Sequence, residues 1–332
     1  PAEFNPNDGG VPEGKSFEAE PLAQGQDAPA IEADTSHGQG VELFSSRGFV
    51  NSLQIMPSDC ALSILDFLPE EDLIYTQDIS KLLGDISRDT LLRKYKQLPD
   101  EEKGISLLEY SETGKKRLVE LLLRAEADVN FHEEDGITPL MYAAISGYTE
   151  IAKLLLEAGA DKEVQDPEFD GCTPLILASM NNHAETAKLL LEAGADRNKQ
   201  SKSGDTALIC ASANGHTDIV RLLLAAGVDR DIQTKEGEGA LMLASKGGFK
   251  SIVQFLLDRD ATIDLQNKYG ETPFILACRK GQIDVAILLL ERGANINLKG
   301  RYDQTALIEG SNLGFYAVVE LLLAHGADAN LQ

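Results

Sequence analysis

Histidine and cysteine are the side chains most often used for proton transfer, nucleophilic attack and soft-metal ligation near neutral pH, and this sequence holds five of one and four of the other. His37 lies in a polar leader, His132 between predicted helices, His183 and His216 stand 33 residues apart in matching contexts, and His325 directly precedes a glycine. Cys60, Cys172, Cys210 and Cys278 are widely spaced, with no Cys-x-x-Cys pair, so the sequence offers neither a disulfide framework nor a thiolate zinc site. That usage suits a reducing intracellular compartment, cytoplasmic or nuclear. No nucleophile motif and no phosphate-cradling glycine loop is present. No catalytic residue, metal ligand or cofactor is assigned, and the chain is expected to be non-enzymatic.

Charge narrows the choice of partner. A formal net charge of -24 repels phosphate, so neither nucleic acid nor an anionic membrane is expected to bind the chain as a whole. The acidic runs at 133–135 and 69–71 read as solvated turns. No apolar run approaches the roughly 18 residues that a membrane helix needs.

The elements that position these residues follow from a period. Gly136, Gly171, Gly204, Gly237 and Gly270 succeed one another at 35, 33, 33 and 33 residues, and Asp303 takes the slot after another 33. Just past each come "TPLM", "TPLI", "TALI", "GALM", "TPFI" and "TALI", then a helix of small residues, then a leucine-rich helix such as Leu154 to Leu156 or Leu222 to Leu224. Thr caps free backbone N–H groups at a helix start, and Pro fits the first helical turn, where no donor is needed. Gly159, Gly194, Gly227, Gly293 and Gly326 provide the left-handed turn that ends the outer helix. Glu126 and Asp260 occupy that slot without being glycine, and Gly239 stands where the capping Thr belongs. The unit from Gly237 to Tyr269 holds two of these three departures and is predicted to be the weak one.

The pattern from "G-x-T-P-L" through "LLLEAGAD" resembles the ankyrin repeat. The resemblance implies an all-α solenoid of helix-turn-helix repeats joined by β-hairpin fingers, with six repeats over 136–332 and a capping repeat at 99–135 whose inner helix lies near "SLLEYSETG". Met or Ile replaces the His of the family's "TPLH" in every copy. Residues 1–50, rich in Pro, Gly and polar side chains, are predicted to be a disordered leader.

Between them, at 51–98, apolar residues recur at helical spacing. Here "MP", "SILDFLPEEDL", "ISK" and "RDTLL" resemble an F-box, the module by which substrate receptors dock on the Skp-type adaptor of cullin-RING ubiquitin ligases. The resemblance implies that Met56, Pro57, Leu62, Leu65, Leu68, Leu73, Ile79 and Leu82 meet the adaptor. Leu83 and Leu92 stand where that family often has Trp. F-box and ankyrin units in one chain resemble effector-type or viral substrate receptors, which act inside a host cell. The alternative is an ankyrin scaffold or inhibitor with the N-terminal helices as a cap.

In ankyrin stacks the finger tips and inner-helix ends form a concave face. Those slots hold Glu134, Asp135, Phe169, Asp170, Met180 and Asn181 toward the N-terminal end. Toward the C-terminal end they hold Lys235, Lys246, Lys268, Tyr269, Arg279, Lys280, Arg301 and Tyr302. The second group is expected to bind a target protein through an acidic or phosphorylated segment. Asn130, within "LLRAEADVN", resembles the context that ankyrin asparagine hydroxylases modify.

Overall fold

Each inner helix starts where a threonine hydroxyl can take the place of a missing backbone acceptor. Thr138, Thr173, Thr206, Thr272 and Thr305 accept from the backbone N–H of Met141, Ile176, Ile209, Ile275 and Ile308 at 3.2–3.4 Å. Gly239 has no side chain to do this, and its helix begins uncapped. These helices belong to a computed structural model that describes residues 91–165 and 170–330. The leader, residues 51–90 of the F-box-like module, and Phe169 lie outside the described residues.

A helical segment at 91–97 precedes seven helix pairs. The pairs are α1 (Asp100–Glu112) with α2 (Lys116–Arg124), α3 (Pro139–Ser146) with α4 (Thr149–Glu157), α5 (Pro174–Met180) with α6 (Ala184–Glu192), and α7 (Ala207–Ala213) with α8 (Thr217–Ala225). They continue with α9 (Ala240–Gly247) and α10 (Lys250–Leu257), α11 (Pro273–Arg279) and α12 (Ile283–Glu291), and α13 (Ala306–Asn312) and α14 (Tyr316–Ala324). Odd-numbered helices pack in one row and even-numbered helices in a second. The small residues Ala144, Ser179, Ser212, Ser245 and Cys278 are fully buried along the inner row, which lets its helices approach closely. A leucine from each outer helix, including Leu155, Leu190, Leu223 and Leu289, is wholly buried, contributing roughly 1.5–3 kcal/mol apiece. One core runs unbroken from Leu91 to Leu322.

The capping helix is longer than the sequence suggests. α1 begins at Asp100 because Asp100, Glu101 and Glu102 fill its first turn, where carboxylates complement the helix dipole. Lys103 is buried, its ammonium 2.9 Å from Asp100. Leu91 and Tyr95 are buried in the same core as Leu107, so the end of the 51–98 segment packs into the stack.

Among the described residues the expected hairpin fingers are turns, with isolated bridges at Gln233–Gly239 and Lys299–Thr305. Ser201, Thr234, Asn267 and Gly300 each donate their backbone N–H to the carbonyl four residues on, at 2.8–3.0 Å, closing the turn. Two side-chain series tie the repeats together. Gln165, Gln200, Gln233 and Gln266 each donate to a glycine carbonyl of their own finger and to a carbonyl of the next finger. Asn130, Glu163, Asn198, Asp231, Asp264 and Asn297 each accept from a backbone N–H 31 or 33 residues later, at 2.7–3.1 Å.

Candidate binding surface of the fingers

Each finger presents one residue two positions ahead of its glycine slot. Among the described residues that position reads Glu134, Lys202, Lys235, Lys268 and Arg301, all exposed, and the last four stand at a strict 33-residue interval. Backbone contacts fix the series in space. Lys202 N–H donates to Asp170 O at 2.6 Å, Lys235 N–H to Ser203 O at 2.7 Å, and Lys268 N–H to Glu236 O at 3.1 Å. Lys202 belongs to this series and was missed among the slots read from sequence, although the period marks it.

The aromatic members meet at the C-terminal end. The Arg301 guanidinium lies 4.3 Å from the centre of the Tyr269 ring and 5.8 Å from that of Tyr302, within cation–π range. With Lys268 these three line an open groove of about 410 Å³. Tyr302 is 83% exposed and holds φ at 57°, a left-handed conformation that costs a bulky side chain energy. Such an exposed, strained tyrosine has no packing role in the stack.

The remaining cations differ in their ion-pair partners. Lys246 pairs with Glu238 at 3.6 Å and Lys268 with Glu236 at 3.7 Å. Arg279 is drawn inward, donating to Glu271, whose side chain is 4% exposed, and lying 4.0 Å from Glu309. Glu271 also accepts from Asn267 Nδ2 at 2.9 Å. Arg279 therefore neutralises buried carboxylates, and reversing it tests the fold before it tests binding. Lys235, Lys280 and Arg301 have no carboxylate within ion-pair distance among the described residues.

Carboxylates line the base of the fingers. Asp205, Glu238 and Glu271 recur every 33 residues, each one position before a helix cap. Burial pushes the Asp205 carboxyl above its ordinary range, and Asp170 and Glu238 push it further. Burial likewise raises Glu309, with Glu271 adding to the rise while Arg279 and Arg301 oppose it. Asp170 goes the other way, held down by hydrogen bonds from Ser203 and Ser201.

The groups with chemical potential are spent on structure. His183 and His216 reach back to the carbonyls of Ile145 and Met180 at 2.9 and 3.0 Å. Burial drives the Cys278 thiol up to about 12 and raises Cys210 as well, so neither supplies a thiolate nucleophile at neutral pH. Among the described residues no group of three or more His, Cys, Asp or Glu is placed to hold a metal ion. No described helix is long and apolar enough to cross a membrane. Asn130 is half-buried and spends its side-chain oxygen on Asp161 N–H at 2.8 Å. Met56, Pro57, Leu62, Leu65, Leu68, Leu73, Ile79 and Leu82 lie outside the described residues.

Stacked helix pairs with exposed tips on the described fingers define a solenoid that serves as a protein-interaction module. Family models for "Ankyrin repeats (3 copies)" match residues 107–201, 159–236, 193–267, 218–300 and 241–332. The chain belongs to the ankyrin-repeat family. It is 46% identical over 48 residues to the human "Ankyrin repeat and KH domain-containing protein 1", a stretch that is 14% of this chain and 2% of that protein. The Drosophila melanogaster "Ankyrin repeat and KH domain-containing protein mask" is 46% identical over 48 residues, 14% of this chain and 1% of the relative. The chain thus spans only a small fraction of the relatives it matches.

Proposed function

We propose that the fingers bind an acidic or phosphorylated segment of a target protein, and that the chain is the substrate receptor of a cullin-RING ubiquitin ligase. The observation that carries the first part is the series Lys202, Lys235, Lys268 and Arg301 at a 33-residue interval on consecutive fingers, the first three tied to the preceding finger by backbone hydrogen bonds and the last lying against Tyr269 and Tyr302. An extended acidic segment laid across the finger tips would meet one cation per repeat, with the two tyrosines as anchors at one end. The second part is supported by the F-box-like sequence at 56–95. A receptor of this kind speeds ubiquitin transfer by holding the target near the conjugating enzyme, and needs no catalytic group of its own.

Pull-down from a eukaryotic lysate tests the receptor role. Skp-type adaptor and cullin should be recovered with the full chain and lost from the Pro57→Ala, Leu65→Ala, Leu68→Ala triple variant. Recovery of both at unchanged yield rejects it. A second reading has its own support in the burial of Leu91 and Tyr95 within the ankyrin core. On that reading the N-terminal helices are a cap and the array is a scaffold or inhibitor that occupies its partner without ubiquitin transfer. Asn130 is proposed as a hydroxylation site, which peptide mass spectrometry after eukaryotic expression tests by the presence or absence of one added oxygen.

A further inference from the structure

The finger between α2 and α3 differs from the other described fingers both in charge and in what lies beside it. It has Glu134 where the later fingers have Lys202, Lys235, Lys268 and Arg301, and Glu133 and Asp135 flank it. Facing it at the start of α1 are Glu101 and Ile105. The Phe131 ring is seated on Gly104: a Cβ on that glycine would come within 2.2 Å of the ring, so its absence makes the seat. Phe131 and Ile105, the latter 42% exposed, form the apolar floor of an open groove of about 860 Å³. Glu101, His132, Glu133, Glu134 and Asp135 form its rim, four carboxylates and one imidazole.

The rim is uncompensated. None of the four carboxylates has an ion-pair partner among the described residues, although eleven pairs are formed elsewhere. Asp135 spends one oxygen on the Ile137 backbone N–H, which fixes the turn and leaves its charge in place. Like charges beside an apolar wall build a local negative potential that attracts cations and turns away acidic chains. An exposed isoleucine and aromatic ring at the centre of that potential give a second, short-range component that an ion alone does not use.

We infer that this groove docks a basic, partly apolar segment of a partner protein, one large aliphatic or aromatic side chain settling on Ile105 and Phe131 with lysine or arginine on either side meeting the rim. The chain's own residues 1–50 do not fit, because their acidic residues far outnumber Lys15 and Arg47. The inference rests on the reading of the stack as a protein-binding surface, but uses the opposite end and the opposite charge from the finger-tip cations.

Fluorescence anisotropy on the full chain tests it with three labelled peptides: a leucine between lysine-arginine pairs, the same peptide with glutamate pairs, and the basic peptide with alanine for leucine. The basic leucine peptide should bind at least about tenfold more tightly than either of the others, and added salt should weaken it. Glu133→Lys with Glu134→Lys should remove that preference, and Ile105→Ser should bring the leucine peptide down to the alanine one. All three positions are solvent-facing, so circular dichroism should be unchanged. Lys268→Glu with Arg301→Glu should leave this binding intact. Equal affinity for basic and acidic peptides, or loss of basic-peptide binding in the finger-tip variant but not in the rim variant, overturns the inference. A rim variant that converts a self-associating chain into a monomer overturns it too, since the occupant would then be a second copy. If the basic peptide fails to bind while the glutamate peptide binds through Lys268 and Arg301, the inference falls and the finger-tip reading stands.

Discussion

The first and last described fingers occupy the same slot of the repeat and carry opposite chemistry. At the first, four carboxylates surround an apolar floor and have no ion-pair partner among the described residues; at the last, Arg301 lies over Tyr269, and Arg279 pairs with the carboxylates beneath it. The stack needs the glycine slot, the capping threonine and the leucines, and it fixes nothing at the tip. Tip residues are therefore free to diverge along one array, and a repeat protein can present a gradient of charge without any cost to its core. Where charge does enter the core, as at Glu271 and Glu309, it comes with a neighbouring arginine.

That contrast between tip and base can be broken most severely at Arg279. Arg279→Glu would set three carboxylates together at the base of the last fingers and should cost about 3 kcal/mol or more, read as early unfolding of the C-terminal repeats. Lys280→Glu, one position away and exposed, should leave the unfolding midpoint within about 0.5 kcal/mol. The next largest effect concerns the tip itself. Lys268→Glu with Arg301→Glu should weaken an acidic target at least about tenfold with the melting curve unchanged, and Glu157→Lys with Glu192→Lys on the outer helices should not weaken it.

Smaller effects sharpen the comparison within the core. Gly239→Thr should add about 1 kcal/mol, because the nearest atom to an added Cβ is 3.5 Å away and the extended φ of -108° suits a capping residue. Asp260→Gly relieves a left-handed φ of 60° and should add up to about 1 kcal/mol. Before either change, hydrogen exchange in α9 and α10 should be the fastest among the internal repeats. The smallest expected effect is one of pH. The Glu309 carboxyl is raised in the folded state, so its contribution favours folding below the ordinary glutamate range and is lost as pH rises through the raised value. Denaturant midpoints across that window should flatten in Glu309→Gln, and an unchanged slope would assign the dependence to Asp205, which shifts in the same direction.

What the sequence disclosed and what it hid divide along the same line. The period in glycine, the Thr-Pro starts and the leucine runs placed the fold, because each depends on backbone geometry that a residue type states directly. The two departures in the unit from Gly237 to Tyr269 were legible for that reason: α9 starts without a side-chain cap at Gly239, and Asp260 is held left-handed. The Arg279 pair was hidden because its partner Glu271 lies across a helix start, where the chain reverses and linear spacing carries no proximity. Lys202 and the glutamine series were equally periodic, yet they became visible only once the fingers showed which column faces which. The N-terminal groove needed Gly104 and Phe131 to be brought together from different elements, which no local pattern states.

The glutamine series has a consequence for how such a chain can change length. Gln200 and Gln233 make the same pair of bonds one unit apart, each to its own glycine carbonyl and to the following finger. Excising residues 201–233 would join Gln200 to Thr234 and leave Gln200 in position to bond Gly237 and Gln266 as Gln233 does now. The joint would be seamless at that rung, so the array can lose or gain a segment without a new sequence being invented at the seam, while the two dissimilar ends move closer together or further apart.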